Sequence, residues 1–377
     1  MEKISGKKWH LPQLDVIRWW AFLAVYVTHA FPGYKSMPGY PEALQVVVSR
    51  LSQSFAFGVD LFFALSSFLL TTLLVRERNL TGTVNIRAFY WRRSLRILPP
   101  YYGILLFCFL FQNILAVDHI SWELVISFAF MVGNWTMYSA GWTPFISHLW
   151  SVCLEEQFYL FCAPTIKWLG SKRLPLVATA MLVLSPLVRY VIGLGPKDVS
   201  LIWLNSFARL DSLAVGVLVA TTFAETTIKR RKTAISLSIL ALFIAGLIWP
   251  SKEVGTANRI LGYLVPAICC GVIIKAAVSI PITSLSRGRV FSKLEYLGKI
   301  SYGLYLFHVL GLLLGKHFLP GRTPGRVLIH AALGLGITIA LANLSYPAER
   351  WFLRQKENLP WARRQLPEIR TAQSMVP

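Results

Sequence analysis

The sequence predicts an all-α fold: a polytopic membrane helix bundle of about ten transmembrane helices with both termini cytoplasmic. Two observations lead there. Hydrophobic residues make up 55% of the 377 and charged residues 15%, and the apolar ones gather in long runs that an ordinary soluble domain does not carry. The formal net charge of +21 sits in short clusters between those runs, where the positive-inside rule places lysine and arginine. That distribution points to the lipid bilayer and away from nucleic acid as a partner. Cys108, Cys153, Cys162, Cys269 and Cys270 all lie inside apolar segments without metal-ligand spacing, and are expected as core residues with free thiols.

The first helix is expected over Leu14–Ala30. Lysines precede it as they precede a signal peptide, but Asp15 and Arg18 interrupt the apolar run and the run has membrane length, so it reads as a retained helix. Further apolar segments follow at Phe55–Val75, Tyr101–Val117, Leu124–Met137, Leu149–Leu169 and Leu174–Ile192. Five more stand at Asn205–Phe223, Ile235–Ile248, Ile260–Ile280, Ser301–Phe318 and Arg326–Tyr346. Pro250, Pro281, Pro320 and Pro347 stand just after apolar runs and are expected to end helices. Leu124–Met137 is short of the ~20 residues a crossing requires. Leaving it out gives ten crossings and puts the basic connections Arg76–Arg96, Lys167–Arg173, Lys229–Lys232 and Arg287–Lys299 on the cytoplasmic side with the N-terminal lysines. With no internal repeat, the economical division is one transmembrane domain, 1–350, and a short basic cytoplasmic tail, 351–377.

Ionisable residues inside apolar segments are costly and mark candidate sites. At about 100° per residue, Arg18 and His29 fall within roughly 20° of each other on the first helix, with Asp15 roughly 40° from His29. A snorkelling Asp15–Arg18 pair with His29 in a loop would fit the same residues. Asp60, Glu155, Glu156, Arg209 and Asp211 enter their helices at a depth comparable to His29, so several buried charges share one layer. Adjacent glutamates point roughly 100° apart, so only one of Glu155 and Glu156 can squarely face a given cavity. Arg92, Arg93 and Arg96 form a basic cluster able to grip phosphate or, equally, lipid headgroups. A histidine and a carboxylate at one depth suit acyl transfer to a hydroxyl, and equally a proton relay in a transporter.

The segments LDVIRWWAFLAVYVTHA, GVDLFFALSSFLL, WRRSLRILPPYY and HLWSVCLEEQFYL, followed by RLDSLAVG and SYGLYLFH, strongly resemble the membrane-bound acyltransferase-3 family, which O-acylates bacterial surface carbohydrates and related acceptors. The resemblance implies that His29 is the family's essential histidine, Arg18 its companion, Arg93 and Arg96 the paired arginines, and Glu155 the acid of the tryptophan-serine motif. Where the family has Ser-Gly in its second helix, this chain has Ser66-Ser67.

The function expected is that of an inner (plasma) membrane O-acyltransferase. It would use acyl-CoA, most simply acetyl-CoA, as co-substrate, and a surface polysaccharide or lipid-linked glycan as acceptor, with no metal and no permanently bound cofactor. His29 would act as general base, with Glu155, Asp60 or Asp211 orienting its imidazole. Arg92, Arg93, Arg96 and Arg18 would hold the phosphates, and Trp150, Ser151, Tyr159, Ser66, Arg209 and His308 would serve the substrate. Direct transfer and an acyl-histidine intermediate fit equally. A transporter of a glycan or a proton-coupled solute is the rival, opposed by the missing repeat. A non-catalytic binding subunit would leave His29 and Glu155 dispensable.

Overall fold

The computed structural model describes residues 10–31, 41–114, 119–143, 145–194, 199–222, 230–249, 260, 262–280, 288–318 and 324–355. Among these the regular structure is helical, with no strand. The helices are α1 (Pro12–Ala30), α2 (Glu42–Ser54), α3 (Gly58–Thr81), α4 (Ile86–Phe111), α5 (Trp122–Ala129), α6 (Gly133–Ala140), α7 (Trp150–Leu169) and α8 (Leu174–Leu194). They continue with α9 (Val199–Leu204), α10 (Leu210–Thr221), α11 (Arg231–Ile248), α12 (Leu264–Ser279), α13 (Arg289–Lys299), α14 (Ser301–Phe318) and α15 (Pro324–Gln355).

Among the described residues four helical stretches are long and apolar enough to cross a membrane: Glu42–Thr81, Ile86–Phe111, Ser171–Gly193 and Gly325–Phe352. The pair α13 and α14, bent by 76°, makes a fifth if taken as one span. The other expected crossings are helical but shorter or more polar. Leu124–Met137 is not one helix. It is divided between α5 and α6, each of eight residues and so about 12 Å long against a ~30 Å hydrocarbon core. The break falls at Met131, which takes a positive φ of 59°.

Two expectations about helix ends are corrected. Asn205–Phe223 is interrupted, because the Asn205 side chain accepts from the backbone N–H of Phe207 (2.9 Å) and Ala208 (3.1 Å) and starts a new turn ahead of α10. Pro347 does not end its helix: α15 runs through it to Gln355. Proline is tolerated inside membrane helices where neighbouring groups take over the freed backbone atoms. Pro250, Pro281, Pro320 and the tail from 356 lie outside the described residues.

α3 is the central rod, packed by α1, α7, α10 and α12. Lipid removes most of the hydrophobic drive between membrane helices, so close backbone approach and van der Waals packing must hold them. One such approach pairs Gly216 of α10 with Ser67 of α3, where a Cβ on Gly216 would overlap the Ser67 hydroxyl and the Ala64 carbonyl. A small-residue approach therefore exists at Ser67, with the glycine on the partner helix. Gly216→Val is expected to destabilise the bundle by about 1–3 kcal/mol through overpacking. Size-exclusion chromatography after stepwise heating in detergent measures it, and a wild-type melting profile would refute this packing role. The five cysteines are buried free thiols, as expected.

Candidate functional site

The sequence candidates separate into three groups. The first surrounds a cavity of about 100 Å³ between α1, α3, α4, α7 and α14. Arg18, Arg93 and Arg96 line it together with Ser66, Glu155 and Tyr159. Helical spacing explains why α7 contributes as it does: Ser151, Glu155 and Tyr159 recur every three or four residues and share one face. Glu156 points elsewhere and does not line the cavity, as the angular argument requires. Tyr159 donates to Glu155 Oε2 (2.8 Å) and is hydrogen-bonded to the Ser66 hydroxyl. The Arg93 guanidinium lies 5.3 Å from the centre of the Tyr159 ring, within cation–π range. Arg18 is braced by Asp15 (2.9 Å), which also bonds His10 (2.6 Å). Arg92 stands outside the cavity, with 40% of its side chain exposed, and pairs with Glu77 at 3.4 Å. His10, Asp15 and Glu295 bring ligand-type atoms within 4.8 Å of one another, but Arg18 and Lys299 (2.6 Å from Glu295) already balance those carboxylates.

The second group is a cluster of histidines. His29 lies eleven residues beyond Arg18 on α1, about 16 Å along the axis, and is exposed. Its ring centre is 4.9 Å from that of His308, which in turn is 5.0 Å from that of His148. His308 is 0% and His148 5% exposed. Tyr305 joins this group to the first, since it lines the cavity, donates to the His148 carbonyl (2.9 Å) and hydrogen-bonds Ser151 (2.5 Å). The sequence reading did not include His148 or Tyr305. The signal was present: His148 stands on the same stripe as Ser151, Glu155 and Tyr159, and Tyr305 is three residues before His308.

The third group is a belt of buried ion pairs. Asp60 does not meet His29; it accepts from Arg209 (3.1 Å to each carboxylate oxygen) and from Ser212 (2.7 Å). Asp211 accepts from Arg189 (2.6 and 3.1 Å) and Ser185 (2.7 Å). Arg209 is enclosed by aromatic rings, those of Tyr263 at 4.4 Å, Trp203 at 4.9 Å, Trp249 at 5.7 Å and Trp150 at 6.0 Å. The shared layer of charge seen in the sequence thus contains two closed pairs beside the cavity. Glu155 is engaged by Tyr159, so none of the three carboxylates expected to orient the imidazole does so. The His29 ring instead bonds the Val25 carbonyl (2.9 Å). Removing one member of a buried pair costs about 3–5 kcal/mol, because the other charge is left uncompensated. Asp60→Ala is therefore expected to reduce the yield of monodisperse protein before it touches the chemistry. A well-folded Asp60→Ala protein with no activity would instead return Asp60 to the reaction.

A helical bundle with membrane-length apolar helices, which gathers arginines, a glutamate and hydroxyls around one cavity beside a row of histidines, has the make-up of an integral membrane transferase. The chain belongs to the acyltransferase-3 family: the family model, described as an acyltransferase domain, matches residues 11–344. It is similar to the O-acetyltransferase OatA of Staphylococcus aureus strain NCTC 8325, 26% identical over 373 residues that cover 92% of this chain and 57% of that protein. The OatA of strain COL matches to the same extent. The chain spans little more than half the length of these curated relatives. No solved structure matches the chain.

Proposed function

We propose that the chain transfers an acyl group, most simply acetyl, from acyl-CoA to a hydroxyl of a surface polysaccharide or lipid-linked glycan, from within the plasma membrane. The observation that carries this reading is the meeting of Arg18, Arg93 and Arg96 with Glu155, Tyr159 and Ser66 around one cavity, at the opposite end of α1 from an exposed His29. Three guanidinium groups in a confined space suit the phosphates of coenzyme A, which accept paired N–H donors. The extended pantetheine chain is the part of such a donor that covers the ~16 Å of α1 between Arg18 and His29.

Of these residues His29 alone is exposed, and it takes the role of base toward an acceptor hydroxyl arriving from water. Ser151, bonded to Tyr305, lies between the cavity and the histidines. Ten crossings with both termini cytoplasmic turn the arginine cavity toward the cytoplasm, where acyl-CoA is made, and His29 outward. The bias of lysine and arginine among the connections supports this orientation. The shared printed name O-acetyltransferase supports acetyl as the group moved.

The test uses membranes holding equal amounts of wild type and Glu155→Gln, supplied with labelled acetyl-CoA and host glycan extract. Label in glycan with equimolar release of free CoA from wild type, and loss of both in Glu155→Gln, is the expected result. Solute uptake without CoA release would replace the enzyme reading with transport.

A further inference from the structure

We propose that the groove between α4, α14 and α15 binds one phospholipid with a primary-ammonium headgroup, whose nitrogen pairs with Glu349 and whose acyl chain fills the groove. The groove is a cavity of about 410 Å³ that shares no lining residue with the arginine cavity. Gly103 and Phe107 of α4, Leu310 of α14 and Leu341 of α15 supply its apolar walls, and Ser345 and Glu349 lie toward one end. From Leu341 to Phe352, both on the wall, α15 rises through eleven residues, about 16 Å. That is roughly half of a ~30 Å hydrocarbon core, the depth of one leaflet. α4 and α15 are both long and apolar enough to cross the membrane, so the groove runs in the direction of a lipid chain.

Glu349 selects the headgroup. It is 7% exposed and stands three residues before the end of the apolar stretch Gly325–Phe352. An ionisable group at such a place is costly unless a partner meets it. The Ser345 hydroxyl donates to it over a long 3.3 Å, and no lysine, arginine or histidine among the described residues stands within ion-pair distance of it. Arg96, whose charge reaches Glu349, lines the arginine cavity instead. The carboxylate therefore calls for a cation that carries N–H donors and arrives from the lipid side. A primary ammonium on a headgroup has both properties, whereas a trimethylated or anionic headgroup lacks one of them.

The following turn of α15 sets the level. Trp351 is 56% exposed, an aromatic of the kind that sits among headgroups. Arg350 and Arg354, one turn apart and both exposed, stand beside it as partners for the lipid phosphate. Across the groove, a Cβ at Gly103 would meet nothing within 4 Å, so the wall is open to an entering chain. On the orientation proposed above, this lipid belongs to the cytoplasmic leaflet.

The test uses full-length protein in nanodiscs of phosphatidylglycerol mixed equally with phosphatidylethanolamine or with phosphatidylcholine. After extraction into mild detergent, native mass spectrometry counts the lipid retained. Wild type is expected to keep one phosphatidylethanolamine and to release phosphatidylcholine. Glu349→Gln, which keeps the shape and an acceptor for Ser345 but not the charge, should lower that retention by about tenfold, the scale of one hydrogen bond to a charged group. Gly103→Leu should lower it as well by occupying the groove, with the melting temperature of wild type. Equal retention of the two lipids, or of phosphatidylethanolamine by wild type and Glu349→Gln, overturns the headgroup assignment. Unchanged retention in Gly103→Leu overturns the placement of the chain. Displacement of the lipid by acetyl-CoA, with weaker acetyl-CoA binding in Glu349→Gln, would give the groove to the donor and overturn the proposal entirely. None of these measurements reads transfer, so the lipid site stands or falls independently of the acyl-transfer reading.

Discussion

His29→Ala is expected to lower kcat for O-acylation by about 10³-fold, within the 10²–10⁴ range of a lost general base, while leaving acyl-CoA binding intact. The separation follows from position. His29 is not among the residues around the arginine cavity, so its removal takes nothing from the phosphate site. Its neighbours do not make good the deficit, because His308 and His148 are 0% and 5% exposed and cannot reach a hydroxyl arriving from water. Transfer of label from acetyl-CoA, read beside equilibrium binding of acetyl-CoA to the same preparation, distinguishes the two effects. Unimpaired transfer by His29→Ala would remove His29 from the chemistry. Abolished binding would move it to the donor site.

The opposite signature is expected at the arginines. Arg93→Ala should raise KM for acyl-CoA by about 30-fold or more, corresponding to roughly 2–5 kcal/mol for removing one charged partner from a buried pair, with a smaller change in kcat. Arg93→Lys should fall between, because lysine keeps the charge but not the planar fork of donors that can grip a phosphate in pairs. Arg92→Ala is the control. Its pair with Glu77 is long and half-exposed, and such pairs are worth about 0–1 kcal/mol. Steady-state kinetics on the three variants measure this, and equal effects of Arg92→Ala and Arg93→Ala would mean that the cavity does not hold the phosphates.

Local periodicity made part of this site legible. The eleven-residue spacing put Arg18 and His29 on one stripe of α1, and the 100° step separated Glu155 from Glu156. Periodicity says which residues share a face but not how far apart along the axis they act, so residues read as one site belong to two, joined by α1. Pairings between distant segments were beyond it. Asp60 meets Arg209 across 149 residues, and Tyr305 meets His148 across 157. The sequence showed the carboxylates at the right depth and could not show that arginines had already claimed them. Arg189, fully buried and paired with Asp211, passed unnoticed because its cost is visible only when its partner is known. The fold was limited in the same way: apolar length identified the helices, whereas the break at Asn205 depends on which side chain reaches which backbone atom.

α14 carries Ser301, Tyr302 and Tyr305 on the wall of the arginine cavity and His308 in the histidine cluster. A helix is stiff along its axis, so those two places cannot move independently. An enzyme that keeps a thioester near a water-exposed base risks squandering its donor by hydrolysis. A single rigid strut through both compartments gives the molecule a mechanical answer, because whatever seats the donor against Tyr302 also sets the distance from His308 to His29. If the acyl-CoA reading proposed above holds, wasteful turnover in the absence of acceptor follows the seating of this one helix.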